Sequence, residues 1–435
     1  MPSRFVIPRP APDAATTVDG IKSVRRPAEE RSDQTSVRLA NLGVVLRHVA
    51  DHGPCSRASV AGHSGLTRGT VSSLVAELIE LGLLREGGIA GPPRVGRPGV
   101  SLELADSVVG LGLEVNVDYL AVCVEDLRGA VRYEHRVLCD NRGADVDETL
   151  GRLADLANGA IRATELDGHR CVGAAIAVPG LVDAATAMLL RAPNLDWSNV
   201  PVASIVGEQL EDSRPIFVEN EANAAALAEH RRGAAQGLSS FICVFGEIGV
   251  GSGIFVNGEL FRGAHGFGGE LGHAVVDPEG PICACGNRGC LESFVGQEAI
   301  ARDAGVPTPA GERHASITGE LVDRASSGDP ATLAALERAS ETLGASLAST
   351  INLFDLDGVV LGGCFGPLSP WLVEGIERAL RSRVLSAGWS TCEVRASTLG
   401  ERAAVHGAAA IVLRSVLADP WLARGSGTTL EAVAT

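Results

Sequence analysis

Three cysteines, Cys283, Cys285 and Cys290, lie within eight residues near the middle of the chain, shortly after His273. Three thiolates and one imidazole complete the tetrahedral shell that Zn²⁺ takes in proteins, and a shell filled by protein ligands leaves no open position for catalysis. The glycines between these cysteines allow a short loop to wrap around an ion. The spacing therefore predicts one structural zinc ion per chain, held by His273, Cys283, Cys285 and Cys290.

The elements that position this cluster belong to a long region in which strands alternate with helices. Apolar runs at 108–124, 171–178 and 241–245 predict buried strands, and amphipathic or alanine-rich helices separate them. Such alternation is typical of an α/β domain with a mixed sheet. We expect this domain to span residues 107–418 and to be followed by a flexible tail at 419–435.

The N-terminal part of the chain has a different pattern. Residues 1–33 are rich in Pro, Ala and charge without periodicity, which predicts a disordered tail. Three helices, a tight turn containing Gly65 and the start of a strand follow within residues 34–88. A Gly-, Pro- and Arg-rich stretch at 89–106 predicts the end of a wing and a linker. This order describes a winged helix-turn-helix, which binds DNA; a small helical domain for protein contacts is the alternative.

The surface of this winged helix-turn-helix offers hydroxyl and guanidinium groups that suit DNA. The third helix has an apolar inner face, and small hydroxyls on its outer face allow it to lie deep in a major groove. Arginines on a flexible wing suit insertion into a narrow minor groove. The candidate DNA contacts are Ser56, Arg57, Thr67, Arg68, Thr70, Ser72, Ser73, Arg94 and Arg97.

The distribution of charge is uneven along the 435 residues, whose net charge is −16. Residues 1–100 have 13 Lys and Arg against 9 Asp and Glu, whereas the remainder has 24 against 44. This asymmetry favours a DNA-binding module joined to an acidic domain, although chance alone explains the charges equally well. No apolar run is long enough to span a bilayer and the first residues do not resemble a secretory signal, so we expect a cytoplasmic protein with no membrane contact.

The zinc segment also carries a family resemblance. Gly269-Glu270-Leu271-Gly272-His273, followed by Cys-x-Cys-Gly-x-x-Gly-Cys-Leu-Glu, resembles the signature of the ROK family, which contains repressors and sugar kinases. Ala177–Val182, Ala192–Leu195 and Val218–Ala224 match the family as well. The resemblance implies an actin-like, two-lobed ATPase fold with sugar bound between the lobes. It implies sugar contacts by Asn194, Asn220, Glu221, Glu270, His273 and Glu292, with Gly180 beside Asn194 on the opposite wall.

The stretches that match the kinases' phosphate loops depart from the family pattern. The first loop reads like Asp-x-Gly-Gly-Thr in the kinases, whereas here it is Glu114-Val115-Asn116-Val117-Asp118. The second loop, 246–253, has Glu247 where Thr is usual, and Glu221 replaces the aspartate base. Side chains in place of glycine block the close approach of backbone to phosphate, and added carboxylates repel anions. We therefore expect no kinase activity.

Together these features predict a sugar-responsive transcription regulator, most simply a repressor of carbohydrate uptake or catabolism genes. It would bind a palindromic operator as a homodimer or homotetramer, and a small sugar or sugar derivative would be its effector. Two alternatives remain open. One is a ROK sugar kinase with an appended DNA-binding domain, and the other is a regulator controlled by a protein partner rather than by sugar.

Overall fold

The computed structural model describes residues 34–89, 100–308 and 314–424. The predicted N-terminal tail at 1–33 and the wing arginines Arg94 and Arg97 lie outside these ranges. The described helices are α1 (Gln34–His52), α2 (Arg57–Ser64), α3 (Arg68–Glu80), α4 (Val146–Leu166), α5 (Val202–Gly207), α6 (Glu221–Arg232), α7 (Glu292–Val295), α8 (Gln297–Ala304), α9 (His314–Ser326), α10 (Pro330–Phe354), α11 (Phe365–Arg383), α12 (Ala403–Ala418) and three 3₁₀ helices at Leu271–His273, Gly400–Arg402 and Pro420–Arg424.

The strands form four sheets. They are β1 (Cys55–Ser56), β2 (Leu84–Ile89), β3 (Val100–Leu104), β4 (Val108–Val115), β5 (Tyr119–Asp126), β6 (Val131–Leu138), β7 (Arg170–Val178), β8 (Leu181–Asp183), β9 (Met188–Ala192), β10 (Trp197–Val200), β11 (Ile216–Asn220), β12 (Phe241–Gly246), β13 (Val250–Val256), β14 (Glu259–Leu260), β15 (Gly358–Gly363) and β16 (Glu393–Ala396). None of the described helices is both long and apolar enough to cross a bilayer.

The N-terminal domain is a winged helix-turn-helix, as predicted. Ser56 and Thr67 cap α2 and α3 by accepting backbone N–H groups of Ser59 and Thr70, which satisfies donors that a helix start otherwise leaves free. Gly65, in the left-handed region at φ +72°, ends α2 and allows the tight turn into α3. The three helices bury one apolar face each, and an antiparallel sheet of order β1-β3-β2 closes the domain.

Two five-stranded sheets form the two lobes of the remaining domain. The first lobe is built on a sheet of order β11-β7-β4-β5-β6, in which β4 and β5 are antiparallel while β7 and β11 run parallel to β4. The second lobe is built on a sheet of order β14-β13-β12-β15-β16. Every residue of β4 and β5 is buried, which explains their continuous apolar runs. The predicted mixed α/β architecture is confirmed.

The last described helices connect the first lobe to the winged helix-turn-helix. Helix α12 packs on β4, β5 and β7, and its buried Leu413 and Val416 belong to the same apolar core as Leu42 and Val45 of α1. Although we predicted a flexible tail from residue 419, Pro420–Arg424 forms a 3₁₀ helix. This segment is held in place because Trp421 and Arg424 donate to the carboxylate of Glu77 on α3. Residues 425–435 lie outside the described ranges.

Candidate metal centre and ligand-binding cleft

The four predicted zinc ligands lie together in the structure. One ligand atom from each of His273, Cys283, Cys285 and Cys290 lies within 4.8 Å of the others. The Sγ atoms of Cys285 and Cys290 are 3.7 Å apart, and Cys283 Sγ is 3.8 Å from His273 Nδ1. A tetrahedron with Zn–S bonds of about 2.3 Å has edges of about 3.8 Å. The donor types and their spacing therefore fit a tetrahedral metal ion.

A short, tightly folded loop brings these ligands together. Two isolated β-bridges, Val275 to Cys290 and Ile282 to Arg288, fold the segment back on itself. Gly289, at φ +73°, lies between the bridges, where an added Cβ would overlap the carbonyl oxygen of Asp277. Only glycine fits this position. The loop consequently carries Cys290 back beside the 3₁₀ helix that contains His273.

A second group of metal-binding residue types occurs within the described ranges, at Cys123, Glu125 and His406. All three side chains are buried. A guanidinium already occupies this group, because Arg232 Nη1 lies 2.6 Å from Glu125 Oε1 and 3.4 Å from His406 Nδ1. A cation in place of a metal balances the buried carboxylate, so this group stabilises the fold rather than binding an ion.

A cleft between the two lobes is lined by all six side chains that the family resemblance assigned to sugar binding. Asn194 follows β9, Asn220 ends β11 and Glu221 begins α6, while Glu270 and His273 belong to a 3₁₀ segment of the second lobe. The residues concerned are Asn194, Asn220, Glu221, Glu270, His273 and Glu292. His273 connects the cleft to the metal centre, because its ring lines the cleft while Nδ1 faces Cys283.

The side chain of Asn220 is largely used in building the cleft wall. Its Oδ1 accepts the backbone N–H groups of Ala222 and Asn223 at 2.9 and 3.1 Å, which caps α6. Its Nδ2 donates to the carbonyl of Gly180 at 2.9 Å. Gly180 has φ +104°, and a Cβ there would overlap the Arg191 carbonyl, so glycine is required. Asn220 thus has one N–H left for a ligand.

The cleft holds several carboxyl groups that share one buried space. Burial, together with the nearby charges of Glu247, Glu114 and Glu270, raises the pKa of Glu221 well above its ordinary value. Burial and then Glu247 raise the pKa of Glu114 to about 8. Burial also raises the pKa of Glu270. A protonated carboxyl can both donate and accept, which suits hydroxyl groups that do the same.

The two stretches that match the phosphate loops of kinases are bonded to each other. Asn116 Nδ2 donates to Glu247 Oε2 at 2.9 Å, which ties the β4–β5 turn to the end of β12. Within the first loop, Asn116 Oδ1 accepts the backbone N–H of Asp118 at 3.1 Å. The Asp118 carboxylate is paired with Arg142 at 2.7 Å. Side-chain hydrogen bonds therefore hold the two stretches together and pair Asp118 with Arg142.

Tyr119 and Glu401 also line this cleft, and sequence reasoning missed both. The Tyr119 hydroxyl lies 2.8 Å from Glu114 Oε1 and 3.2 Å from the Glu401 backbone carbonyl. One signal was available, since the chain has only two tyrosines and one lies in an apolar strand. A buried tyrosine hydroxyl requires a polar partner. One partner, Glu114, is five residues away on the neighbouring strand, whereas the other, Glu401, is distant in sequence and could not be identified.

Some of the predicted DNA-contact residues are exposed, and others make contacts within the domain. Thr67, Arg68, Ser72 and Ser73 are exposed on one face of α3, and Thr70 is half-buried. Ser56 caps α2, and Arg57 pairs with Glu86 of β2 at 2.7 Å. Arg94 and Arg97 lie outside the described residues. Most of the predicted α3 contacts are therefore exposed to solvent, whereas Ser56 and Arg57 are used within the domain.

Comparisons with known proteins agree with this architecture. The ROK family model matches residues 110–415, and the IclR helix-turn-helix domain model matches residues 39–88. The xylose repressor of Caldicellulosiruptor bescii is 30% identical over 398 residues, covering 89% of this chain and 99% of that protein.

Two solved structures resemble this chain, the first over most of its length and the second over a shorter part. A ROK family transcriptional regulator, homolog of the E. coli MLC protein, has a TM-score of 0.75 and 27% identity, covering 89% of this chain and 98% of its own. A ROK family glucokinase from Streptomyces griseus, in complex with glucose and AMPPNP, has a TM-score of 0.59 and 28% identity, covering 70% and 98%. The predicted resemblance is confirmed, and this chain belongs to the ROK family.

Proposed function

We propose that this protein is a sugar-responsive transcriptional repressor. The observation that carries the proposal is one apolar core that joins a winged helix-turn-helix to a cleft lined by carboxyl and amide groups. A sugar has several hydroxyls at fixed positions, and such groups bind them through paired hydrogen bonds. The similarity to a xylose repressor along nearly the whole chain supports the same role.

The ligand of the cleft is an uncharged sugar or sugar derivative. The charge of Glu247 acts on both Glu114 and Glu221, so a phosphate dianion entering among these groups would meet the same like charge. Hydroxyl groups would instead find carboxyl groups that donate and accept. We therefore expect sugars to bind and the corresponding sugar phosphates to bind much more weakly.

Phosphoryl transfer is not part of this function. A kinase needs bare backbone N–H groups around the nucleotide phosphates and a carboxylate positioned on the sugar hydroxyl. Asn116, Asp118 and Glu247 fill the loops, and Glu221 stands where the family's kinases have the shorter aspartate. An additional methylene displaces the carboxylate by about 1 Å, enough to impair proton abstraction.

The metal centre would hold Zn²⁺ through His273 Nδ1 and the three cysteine thiolates. When bound, the ion supplies a closed structural shell and no reactive position. His273 would then present its other edge to the sugar in a fixed orientation, because a coordinated imidazole cannot rotate freely. The same loop carries Glu292 into the cleft.

Operator binding would use the exposed face of α3 in the major groove of a palindromic site, with the protein acting as a homodimer or homotetramer. Sugar would act by binding the open and closed arrangements of the two lobes with different affinity. The change would reach the DNA-binding domain through α12 and Pro420–Arg424, which contact α1 and α3.

Calorimetry with a panel of neutral sugars, followed by operator binding with each sugar that binds, tests the proposal. We expect one sugar to bind and to change operator affinity at least fivefold. A sugar that binds without affecting operator affinity would instead support control by a protein partner. Sugar-dependent ATP consumption at ordinary enzyme rates would contradict the loss of kinase activity.

A further inference from the structure

Three of the ten histidines of the chain lie within a stretch of sixteen residues in the winged helix-turn-helix, at His48, His52 and His63. His48 and His52 are one turn apart at the end of α1, and His63 lies in the last turn of α2. The ring of His48 is 4.6 Å from that of His52 and 5.0 Å from that of His63, centroid to centroid. The ring centroids of His52 and His63 are 6.2 Å apart. Two helices thus gather three imidazoles into one cluster.

The hydrogen bonds of two of these rings fix which nitrogen carries the proton. His52 Nδ1 lies 3.2 Å from the carbonyl oxygen of His48, and His63 Nδ1 lies 2.9 Å from that of Ser59. A carbonyl oxygen can only accept, so Nδ1 donates in both rings and the neutral ring keeps its lone pair on Nε2. Histidines that bind metals are oriented in this way, with the other ring nitrogen donating to a backbone carbonyl or a carboxylate.

The third ring, that of His48, has an unused nitrogen. Its Nε2 is buried and has no hydrogen-bond partner among the residues that the structure describes. A buried nitrogen without a partner is available to bind an ion or a water molecule.

We propose that His48, His52 and His63 form a second metal site, which takes a divalent transition ion such as Ni²⁺ or Zn²⁺. Imidazole nitrogens are the preferred ligands of these ions. The rings are stacked in the structure, so binding requires the exposed rings of His52 and His63 to tilt towards a shared ion within the range that their carbonyl hydrogen bonds allow. Asp51, whose charge acts on His48, or water completes the shell. The ion would fasten α1 to α2 within the DNA-binding domain.

Nickel binding to the full-length, tag-free protein tests this site separately from the cysteine centre. The protein is first loaded with one equivalent of Zn²⁺ per chain, which fills the cysteine centre, then mixed with excess Ni²⁺, passed through a desalting column and analysed for both elements. We expect about one Ni²⁺ per chain in addition to the zinc, and a higher unfolding temperature. His52→Gln and His63→Gln should each weaken Ni²⁺ binding at least tenfold, and the double variant should abolish it, with zinc content unchanged.

His135→Gln is the matched control, because His135 is exposed on β6 and far along the chain from the cluster. It should bind Ni²⁺ like the unaltered protein. The replaced residues His52 and His63 are exposed, so circular dichroism and metal-free unfolding temperature should stay unchanged. Unaltered Ni²⁺ binding in the double variant, or uptake of Ni²⁺ matched by an equal loss of zinc, would overturn the proposal.

Discussion

Replacement of Glu77 by glutamine should weaken the communication between the ligand cleft and the DNA-binding helix. Glu77 lies on α3, and its side chain is only 14% exposed. It accepts from Arg38 of α1 at 2.6 Å, from Arg424 at 2.9 Å and from Trp421 Nε1 at 3.3 Å. Arg424 also lies over the Trp421 ring, 4.5 Å from its centroid. One carboxylate thus joins the DNA-reading helix to the last segment of the sensor domain.

The magnitude follows from how exposed the partners are. Arg38 and Arg424 are 44% and 52% exposed, so each ion pair contributes about 0.2–1 kcal/mol. The indole N–H bond to a charged acceptor adds about 1 kcal/mol at this partly buried site. Glutamine keeps an accepting oxygen but loses the charge, so we expect a loss of about 1–2 kcal/mol. Each kcal/mol lost from the coupling reduces the effect of sugar on operator affinity about fivefold.

The assay measures operator affinity with and without the sugar and takes the ratio of the two affinities. Glu77→Gln should bring this ratio closer to one. Calorimetry should show a sugar affinity close to that of the unaltered protein. Removing a negative charge from α3 also strengthens DNA binding in general, so Glu80→Gln, an exposed acid on the same helix, is the control. An unaltered ratio in Glu77→Gln, or an equal change in Glu80→Gln, would refute the coupling role.

Three further predictions concern the metal centre, the acids of the cleft and the DNA surface. Cys290→Ser should lose the bound metal and the sugar-induced rise in unfolding temperature, whereas Cys392→Ser, remote from the centre, should keep both; retention of metal in Cys290→Ser would contradict the ligand assignment. The stability that protonated Glu114 contributes is fully present below pH 4.5 and lost as the pH rises through about 8. Glu114→Gln should therefore stabilise the protein by about 1–3 kcal/mol at pH 9 and little at pH 5, and thermal unfolding that shows equal differences at the two pH values would be the contrary result. Arg68→Ala should weaken operator binding by about 1–3 kcal/mol without changing sugar affinity, and an unchanged operator affinity would remove Arg68 from the DNA contacts.

Local patterns in the sequence sufficed for the elements but not for their arrangement. The apolar spacing of α1 and α3 and the caps at Ser56 and Thr67 are encoded within a few residues, so these helices were predictable. The strand order β11-β7-β4-β5-β6 was not, because it depends on pairings between segments far apart in the chain. Very short strands such as β1, of two residues, also give no periodic signal. The 3₁₀ helix at 420–424 was missed because its partner, Glu77, lies in another domain.

The candidate site was likewise predictable where its residues lie close together in the sequence, and not where they lie far apart. The predicted metal ligands lie within residues 273–290, so their types and spacing alone indicated a group that the structure brings together. The cleft needed the family resemblance, because its walls come from elements of both lobes. Even then the role of Asn220 differs from a simple ligand contact, since capping α6 uses most of its hydrogen-bonding capacity. An asparagine directly before an alanine-rich helix is a recognisable N-cap, and this part was open to sequence reasoning.

Under the proposed function, the acids of the cleft connect loss of catalysis with gain of sensing. A kinase must stabilise negative charge on phosphate, whereas the charge of Glu247 raises the pKa of both Glu114 and Glu221 and opposes any added anion. A repressor needs only that occupancy of the cleft favours one arrangement of the lobes. Without a nucleotide to draw the lobes together, the proposed function requires the sugar to contact both lobes, and Asn194 and Glu270 line the cleft from opposite sides. The free energy of sugar binding then sets an upper limit on how far operator affinity can change.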